Sequence, residues 1–435
     1  MERSILKSFL KYVSLNVLGM IGLSCYILVD TFFISKVLGA LGIAALNFSI
    51  SVYSVIHGLG LMIGIGGATR YCILKSQNQN QQAVNVFNNS LKVGLVVGFC
   101  ITVIGMVGAE FLALLLGSDR STLALTTIYL RTILCFAPFF IINNVLIAFV
   151  RNDNNPNLAM LAMLIGSFSN IILDYLFMFQ LRMGMFGAAI ATCLAPIISI
   201  GVLLIHFNKT TTILSYTRSY RIEWNLIRDM FSLGSATFIV EVSSAIVLIT
   251  FNLVIVNLKG NLGVAAYGII ANIALVGIAM LTGIAQGAQP LISEAYGLKR
   301  KQVIKKLLKF AFLTSILVSI VIYLSLITNA DGIIKIFNSQ GNFEVANLAK
   351  RGIEIYFIGF LFASINIIMT MYLSAIEYPK MALMIAVLRG CVILVPLVFL
   401  LSSFWKMTGV WLAFVLTELI VTIIILGARL SKKLS

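Results

Sequence analysis

The chain has 435 residues, of which 60% are hydrophobic and 11% charged, and its mean hydropathy is +1.04. A soluble domain is nearer half apolar and a quarter charged, so this composition excludes an ordinary soluble enzyme or binding module and predicts an integral membrane protein. The net charge of +16, from 31 Lys+Arg against 15 Asp+Glu, then reads as basic loop anchors and not as a nucleic-acid footprint.

Apolar runs of about twenty residues recur from end to end, and strand-like alternation is absent, so the spans are helices and not barrel strands. Twelve are predicted, near residues 12–36, 43–73, 89–116, 123–148, 158–180, 187–207, 231–257, 264–295, 308–329, 349–375, 381–401 and 409–428. The first run continues too far for a cleaved signal peptide. No connection is long enough for a soluble domain. The longest, 208–230, carries Lys209, Arg218, Arg221 and Arg228 and is expected to form a surface helix along the membrane. The expected division is an N-terminal lobe over 1–207, a connection over 208–230 and a C-terminal lobe over 231–435.

Basic residues set the orientation. The side holding both termini collects Arg3, Lys7, Lys11, Arg70, Lys75, Lys92, Arg151, the four of the central connection, those between 299 and 309, Lys380, Arg429, Lys432 and Lys433. By the positive-inside rule both termini are cytoplasmic. The six cysteines all lie in apolar runs without metal-site spacing and read as packing residues.

The two halves resemble each other. Gly39-Ala-Leu-Gly42-Ile-Ala-Ala echoes Gly260-Asn-Leu-Gly263-Val-Ala-Ala, Pro156 falls on Pro379, and Gly187-Ala-Ala-Ile-Ala echoes Gly409-Val-Trp-Leu-Ala, all at a shift of 221–223. A duplicated six-helix unit enters the membrane twice in the same sense, because six is even. The halves are therefore parallel repeats about an axis along the membrane normal, with a cavity between them.

The fifth span contains Asn170-Ile171-Ile172-Leu173-Asp174. The two polar residues are four apart and share a helix face. A carboxylate inside a span costs roughly 2.5–3.5 kcal/mol by insertion scales and is a functional hypothesis by default. Asp30 in the first span and Thr192 in the sixth are placed at a similar depth, in the outer half of the same lobe. Two carboxylates at close range in low dielectric do not both stay ionised, which makes the pair a proton acceptor. With the Asn and Thr oxygens added, the set also offers hard ligands to Na⁺. The alternative is a buried hydrogen-bond network that pins helices together. Asp30 falls on Asn252 of the repeat and Asp174 near Pro396, so the second half lacks both carboxylates at these positions.

On these residues the chain resembles the MATE (multidrug and toxic compound extrusion) transporters, in particular their DinF-like branch. Three stretches carry the resemblance: Val29-Asp30-Thr31 with Gly64-Ile-Gly-Gly-Ala68; Arg151-Asn-Asp-Asn-Asn-Pro156 through Asn170 and Asp174 to Thr192; and Gly283-Ile-Ala-Gln286-Gly-Ala-Gln289-Pro290 through Gly297. It implies a V-shaped twelve-helix fold and a cation site at Asp30, Asn170, Asp174 and Thr192. It also implies export of amphipathic, often cationic compounds in exchange for H⁺ or Na⁺, from a bacterial plasma membrane. Some branches place a coupling carboxylate in helix 10, where this chain has Asn366.

Other intramembrane polar residues are candidates for the substrate cavity: Asn143, Glu241, Gln286, Asn366 and Arg389. Arg389 pairs with Glu241, faces the cavity or packs on a carbonyl. His57 reads as a helix contact in preference to a proton relay. The segment at Gln286, Gln289 and Pro290 is expected to be irregular. No P-loop and no catalytic triad or metal-hydrolase pattern is visible, so energy comes from an ion gradient; no cofactor is expected and the working unit is a monomer. A lipid-linked precursor flippase is the competing transport reading, and a receptor or scaffold without transport the competing class.

Overall fold

The computed structural model describes residues 2–208, 212–215, 222–337 and 342–430. Lys209, Arg218, Arg221, Lys432 and Lys433 lie outside them, so the expected surface helix over 208–230 is only partly visible; residues 212–215 are not helical.

All regular elements among the described residues are helices. They are α1 (Glu2–Ser76), α2 (Asn80–Leu115), α3 (Leu123–Cys135), α4 (Ala137–Asn152), α5 (Pro156–Asp174), α6 (Gly184–Leu204), α7 (Trp224–Gly297), α8 (Lys301–Thr328), α9 (Ala330–Phe337), α10 (Phe343–Tyr356), α11 (Gly359–Ala375), α12 (Pro379–Val387) and α13 (Leu394–Leu430). A helix satisfies its own backbone groups, which a lipid environment demands. The face of α2 that carries Val96, Val103, Val107 and Phe111 has no protein against it and is suited to acyl chains.

α1 and α7 each contain two spans, and α12, the π segment Leu388–Val392 and α13 together contain two more. α1 breaks at Gly39 (φ 61°, ψ −149°), α7 at Gly260 (φ 59°, ψ −148°) and α13 at Lys406 (φ 49°, ψ −128°). A glycine at the first two points takes the left-handed φ without a Cβ penalty. α3 and α4 meet at 51°, as do α10 and α11 at 50°, and each pair forms one bent span. The chain therefore crosses twelve times, in two lobes of six.

The duplication is visible in the backbone itself. Positive φ values recur in pairs: Gly39 with Gly260, Asn78 with Lys299, Asn154 with Glu377, and Gly184 with Lys406. Each pair keeps the shift of 221–223 read from the sequence. The bends at Phe136 and before Gly359 obey it too, although Pro138 follows only the first; the bend belongs to the lobe, and the proline is one way to accommodate it.

Each lobe has its own core. One gathers Ile34, Tyr71, Phe87, Leu130, Phe149 and Met185; the other gathers Phe251, Tyr267, Tyr356, Phe360 and Trp411. Phe9 and Val13 of α1 join the second core, so the first turns of α1 pack across the lobe boundary. There the backbones nearly touch. A Cβ at Gly66 would lie 2.0 Å from the Met230 carbonyl oxygen, and one at Gly234 would lie 1.9 Å from that of Met62.

Several expected boundaries move. The seventh span begins at Trp224 and the ninth at Lys301, because both helices run past the apolar window into polar turns. The segment expected to be irregular at Gln286–Pro290 is regular: within α7 only Gly260 leaves helical dihedrals. Neighbours hold it straight, with Gln289 bonded to Thr69 and Asn152 and the Pro290 carbonyl accepting from Cys72 Sγ at 3.4 Å.

Candidate cation site and substrate cavity

Asp30 sits on the first arm of α1, Asn170 and Asp174 on the last turns of α5, and Thr192 on α6. All four are buried, Asn170 and Asp174 completely. The carboxylates of Asp30 and Asp174 interact electrostatically, and both act on Tyr129 of α3. Directly after Asp174 the helix widens into a π segment, Tyr175–Gln180, a feature often found at functional sites.

Hydrogen bonding divides these four residues. The Thr192 hydroxyl donates to the Ala188 carbonyl at 3.0 Å and accepts from Asn170 Nδ2 at 3.5 Å. With its amide nitrogen turned to Thr192, Asn170 keeps Oδ1 free. Asp30 Oδ1, Asn170 Oδ1 and both carboxylate oxygens of Asp174 are buried without a hydrogen-bond partner. A buried polar atom normally has one, and an unpaired carboxylate in low dielectric is strongly unfavourable. Four orphaned oxygens from an acid pair and an amide fit a bound proton or a hard monovalent cation. Thr192 is bonded to the amide; the unpaired oxygens belong to the other three.

Beside the site lies a cavity open to solvent and lined mainly by α1, α4, α5 and α6. Thr192 is part of its wall, as are Asn143, Glu241 and Gln286, the last two from α7. Its floor lies at the end of the molecule that bears the N-terminus. There Arg151, counted from sequence as a loop anchor, is buried and donates to Asn16 Oδ1 at 2.7 Å and Gln286 Oε1 at 3.1 Å, while Asn16 donates to the Gly283 carbonyl at 3.0 Å.

Asn366 and Arg389, expected at the substrate cavity, do not line this one. They meet at Glu418 on α13, a residue the sequence reading overlooked. Arg389 Nε and Nη2 donate to Glu418 Oε1 at 3.1 and 2.7 Å; Asn366 Nδ2 donates to Glu418 Oε2 at 2.6 Å; and the Thr422 hydroxyl donates to Asn366 Oδ1 at 3.1 Å. Arg389 therefore pairs with Glu418 and not with Glu241, whose ionisable neighbour is His57. A lone Glu in the apolar twelfth span was the available signal. Removing one partner of a buried pair strands the other at a cost of about 3–5 kcal/mol, whereas replacing both by apolar groups is often neutral. Arg389→Met is expected to lower the melting temperature of the purified protein sharply, and Arg389→Met with Glu418→Met to restore most of it.

At the same end as the cavity floor, Asp153 joins the lobe to the connection beyond it. Its carboxylate accepts from Tyr71 at 2.7 Å, His206 Nε2 at 2.8 Å, Lys75 and Thr212. His206 Nδ1 accepts from Asn155 Nδ2 at 3.0 Å. Burial pushes the Asp153 carboxyl up, but hydrogen bonds from His206, Lys75, Thr212 and Tyr71 outweigh it and hold the group at about 2 against 3.8. A depressed carboxyl stabilises the fold above its unfolded value, and that stability, about 2 kcal/mol, is lost as pH falls from about 4 through 2. Melting temperature measured over this range is expected to fall less steeply in Asp153→Asn than in the wild type.

Twelve spans in two lobes, a cavity and an acid pair buried beside it define a polytopic membrane protein of the transporter class. The MatE family model matches residues 17–176 and 236–400, and the chain belongs to that family of membrane transporters, which are not enzymes. It is similar to the multidrug export protein MepA of Staphylococcus saprophyticus, with 24% identity over 420 residues, 96% of this chain and 92% of that one. For MepA of Staphylococcus aureus strain MRSA252 the identity is 23% over 394 residues, 90% and 86% of the two chains. A solved structure, the outward-facing conformation of a multidrug resistance MATE family transporter of the MOP superfamily, superposes with a TM-score of 0.92 at 22% identity, over 98% and 95% of the two chains. At that identity the likeness is one of fold.

Proposed function

We propose that this transporter exports amphipathic, often cationic compounds by alternating access, in antiport with H⁺ or Na⁺ held at Asp30, Asn170 and Asp174 with Thr192 orienting the amide. One observation carries the reading: Thr192 belongs both to the wall of the cavity and to the hydrogen-bonded set of the acid site. A cation that neutralises the carboxylates changes the packing of α1, α5 and α6, and through Thr192 the shape of the wall. Drug affinity falls and the compound leaves.

In this reading the parts before 207 and after 231 are the two lobes that rock, joined by a cytoplasmic connection over 208–230. The end rich in Arg and Lys faces the cytoplasm of a bacterial cell, as the positive-inside rule requires. The cavity, closed at that end by Arg151, Asn16 and Gln286, faces outward. The unit is a monomer, because each lobe contributes to one cavity.

The test is dye accumulation in inverted membrane vesicles under an imposed ΔpH and, separately, an imposed Na⁺ gradient. One of the two gradients is expected to drive uptake and name the coupling ion. Uptake that responds to neither gradient overturns the antiport assignment.

A further inference from the structure

Three ionisable side chains line the cavity: His57, Arg151 and Glu241. The Arg151 guanidinium is engaged by Asn16 and Gln286. Among the described residues of the wall Glu241 is the one carboxylate, and its side chain is 31% exposed. Its ionisable neighbour is His57 Nδ1, at 3.4 Å, a longer separation than a strong charge-assisted hydrogen bond.

The two residues belong to different lobes, His57 to the second arm of α1 and Glu241 to the first arm of α7. The helices meet beside them, since a Cβ at Gly58 would lie 3.2 Å from Glu241 Cβ and 3.1 Å from the Phe238 ring. Aromatic groups continue the wall. The Tyr53 ring stacks on His57 at 5.8 Å, its hydroxyl is 3.3 Å from that of Tyr26, and Phe140 meets it edge-on at 5.6 Å. A carboxylate at the edge of an aromatic wall suits a flat organic cation, with the charge on the acid and the rings on the faces.

We propose that His57 and Glu241 form a clasp between the lobes that selects substrates by charge: a cationic substrate takes Glu241 away from His57. This rests on the reading of the chain as an exporter of amphipathic compounds, and adds the group that selects among them. The same exchange removes a polar contact between the lobes where their helices meet. A ligand shifts a conformational equilibrium only through its different affinity for the two states, and a substrate that competes with an interlobe contact has such a difference.

Two dyes that differ by one charge test this. Rhodamine B ethyl ester carries a net charge of about +1 and rhodamine B about zero, on one xanthene core. Binding to the purified full-length protein in detergent is read by fluorescence anisotropy, without any gradient. In Glu241→Gln the ester is expected to bind about tenfold more weakly, while rhodamine B changes less than about twofold. His57→Lys supplies a fixed competitor and weakens the ester in the same sense. His57→Gln removes the imidazole competitor and tightens it. Retention of the wild-type preference in Glu241→Gln, or equal loss of both dyes, overturns the clasp. Cation coupling is read separately, from gradient-driven uptake, so that either idea can fail while the other stands.

Discussion

Asp174→Asn is expected to abolish gradient-driven dye uptake in inverted vesicles and to weaken dye binding in detergent, as a neutralised site does. The amide has the volume of the carboxylate, so the side chain still fits at this completely buried position. The capacity to carry charge is lost. In the wild type, both Asp174 oxygens are buried without a partner, and Asp30 lies close enough to act on them electrostatically. Each carboxylate makes the other a better acceptor for a cation, because two charges at this range in low dielectric repel. With Asn at 174, Asp30 loses that neighbour and the site no longer exchanges its cation between the two states of the transporter. Asp30→Asn has the same effect for the same reason. The double variant is expected to be no worse than either single one, since residues that act as a unit are not additive. Retention of more than about half the wild-type uptake rate in Asp174→Asn would sink the assignment of the cation site to this pair.

The acid site was legible in the sequence because lipid makes it so. A carboxylate is conspicuous in a helix that is otherwise apolar, and the spacing of Asn170 and Asp174 fixes a shared face. Depth, read from span boundaries, then brought Asp30 and Thr192 alongside. The repeat was legible for a similar reason. Gly39 and Gly260 occupy matching left-handed positions, and only a small set of residues takes that φ easily. Hydrophobic periodicity gives depth and face but not which helix lies opposite. Arg389 could not be assigned to Glu418 instead of Glu241 without knowing that α13 packs beside the π segment Leu388–Val392. For Arg151, sequence showed a basic residue at a span end; its burial depends on Asn16 and Gln286 arriving from two other helices. Thr192 was read as one more oxygen ligand, and its position as the partner of the Asn170 amide follows only from the hydrogen-bond geometry.

The contact that closes the molecule at its basic end is made by backbone, so it has a severe steric test. Gly66 on the second arm of α1 and Gly234 on the first arm of α7 face each other's neighbours, and a Cβ at Gly234 would lie 1.9 Å from the Met62 carbonyl oxygen. Real Cβ atoms do not come within 3.0 Å of such an atom, and backbone cannot turn aside as a side chain can. Gly234→Leu must therefore push α1 and α7 apart by more than an added methyl requires, and the lobes are held together along this line. Cys72 reports the result. Its thiol is buried and donates to the Pro290 carbonyl across the lobe boundary. In a background that keeps Cys72 as its one cysteine, Gly234→Leu is expected to make this thiol reactive toward a membrane-impermeant maleimide applied from the side of the basic loops. Uptake is expected to fall by at least about tenfold, because a transporter that cannot close one end leaks its gradient or never presents the outward site. Gly201→Leu is the control: no atom lies within 4 Å of a Cβ at that position, and neither labelling nor uptake should change. Gly234→Leu with Cys72 still protected and uptake intact would mean that the lobes close somewhere other than at this glycine contact.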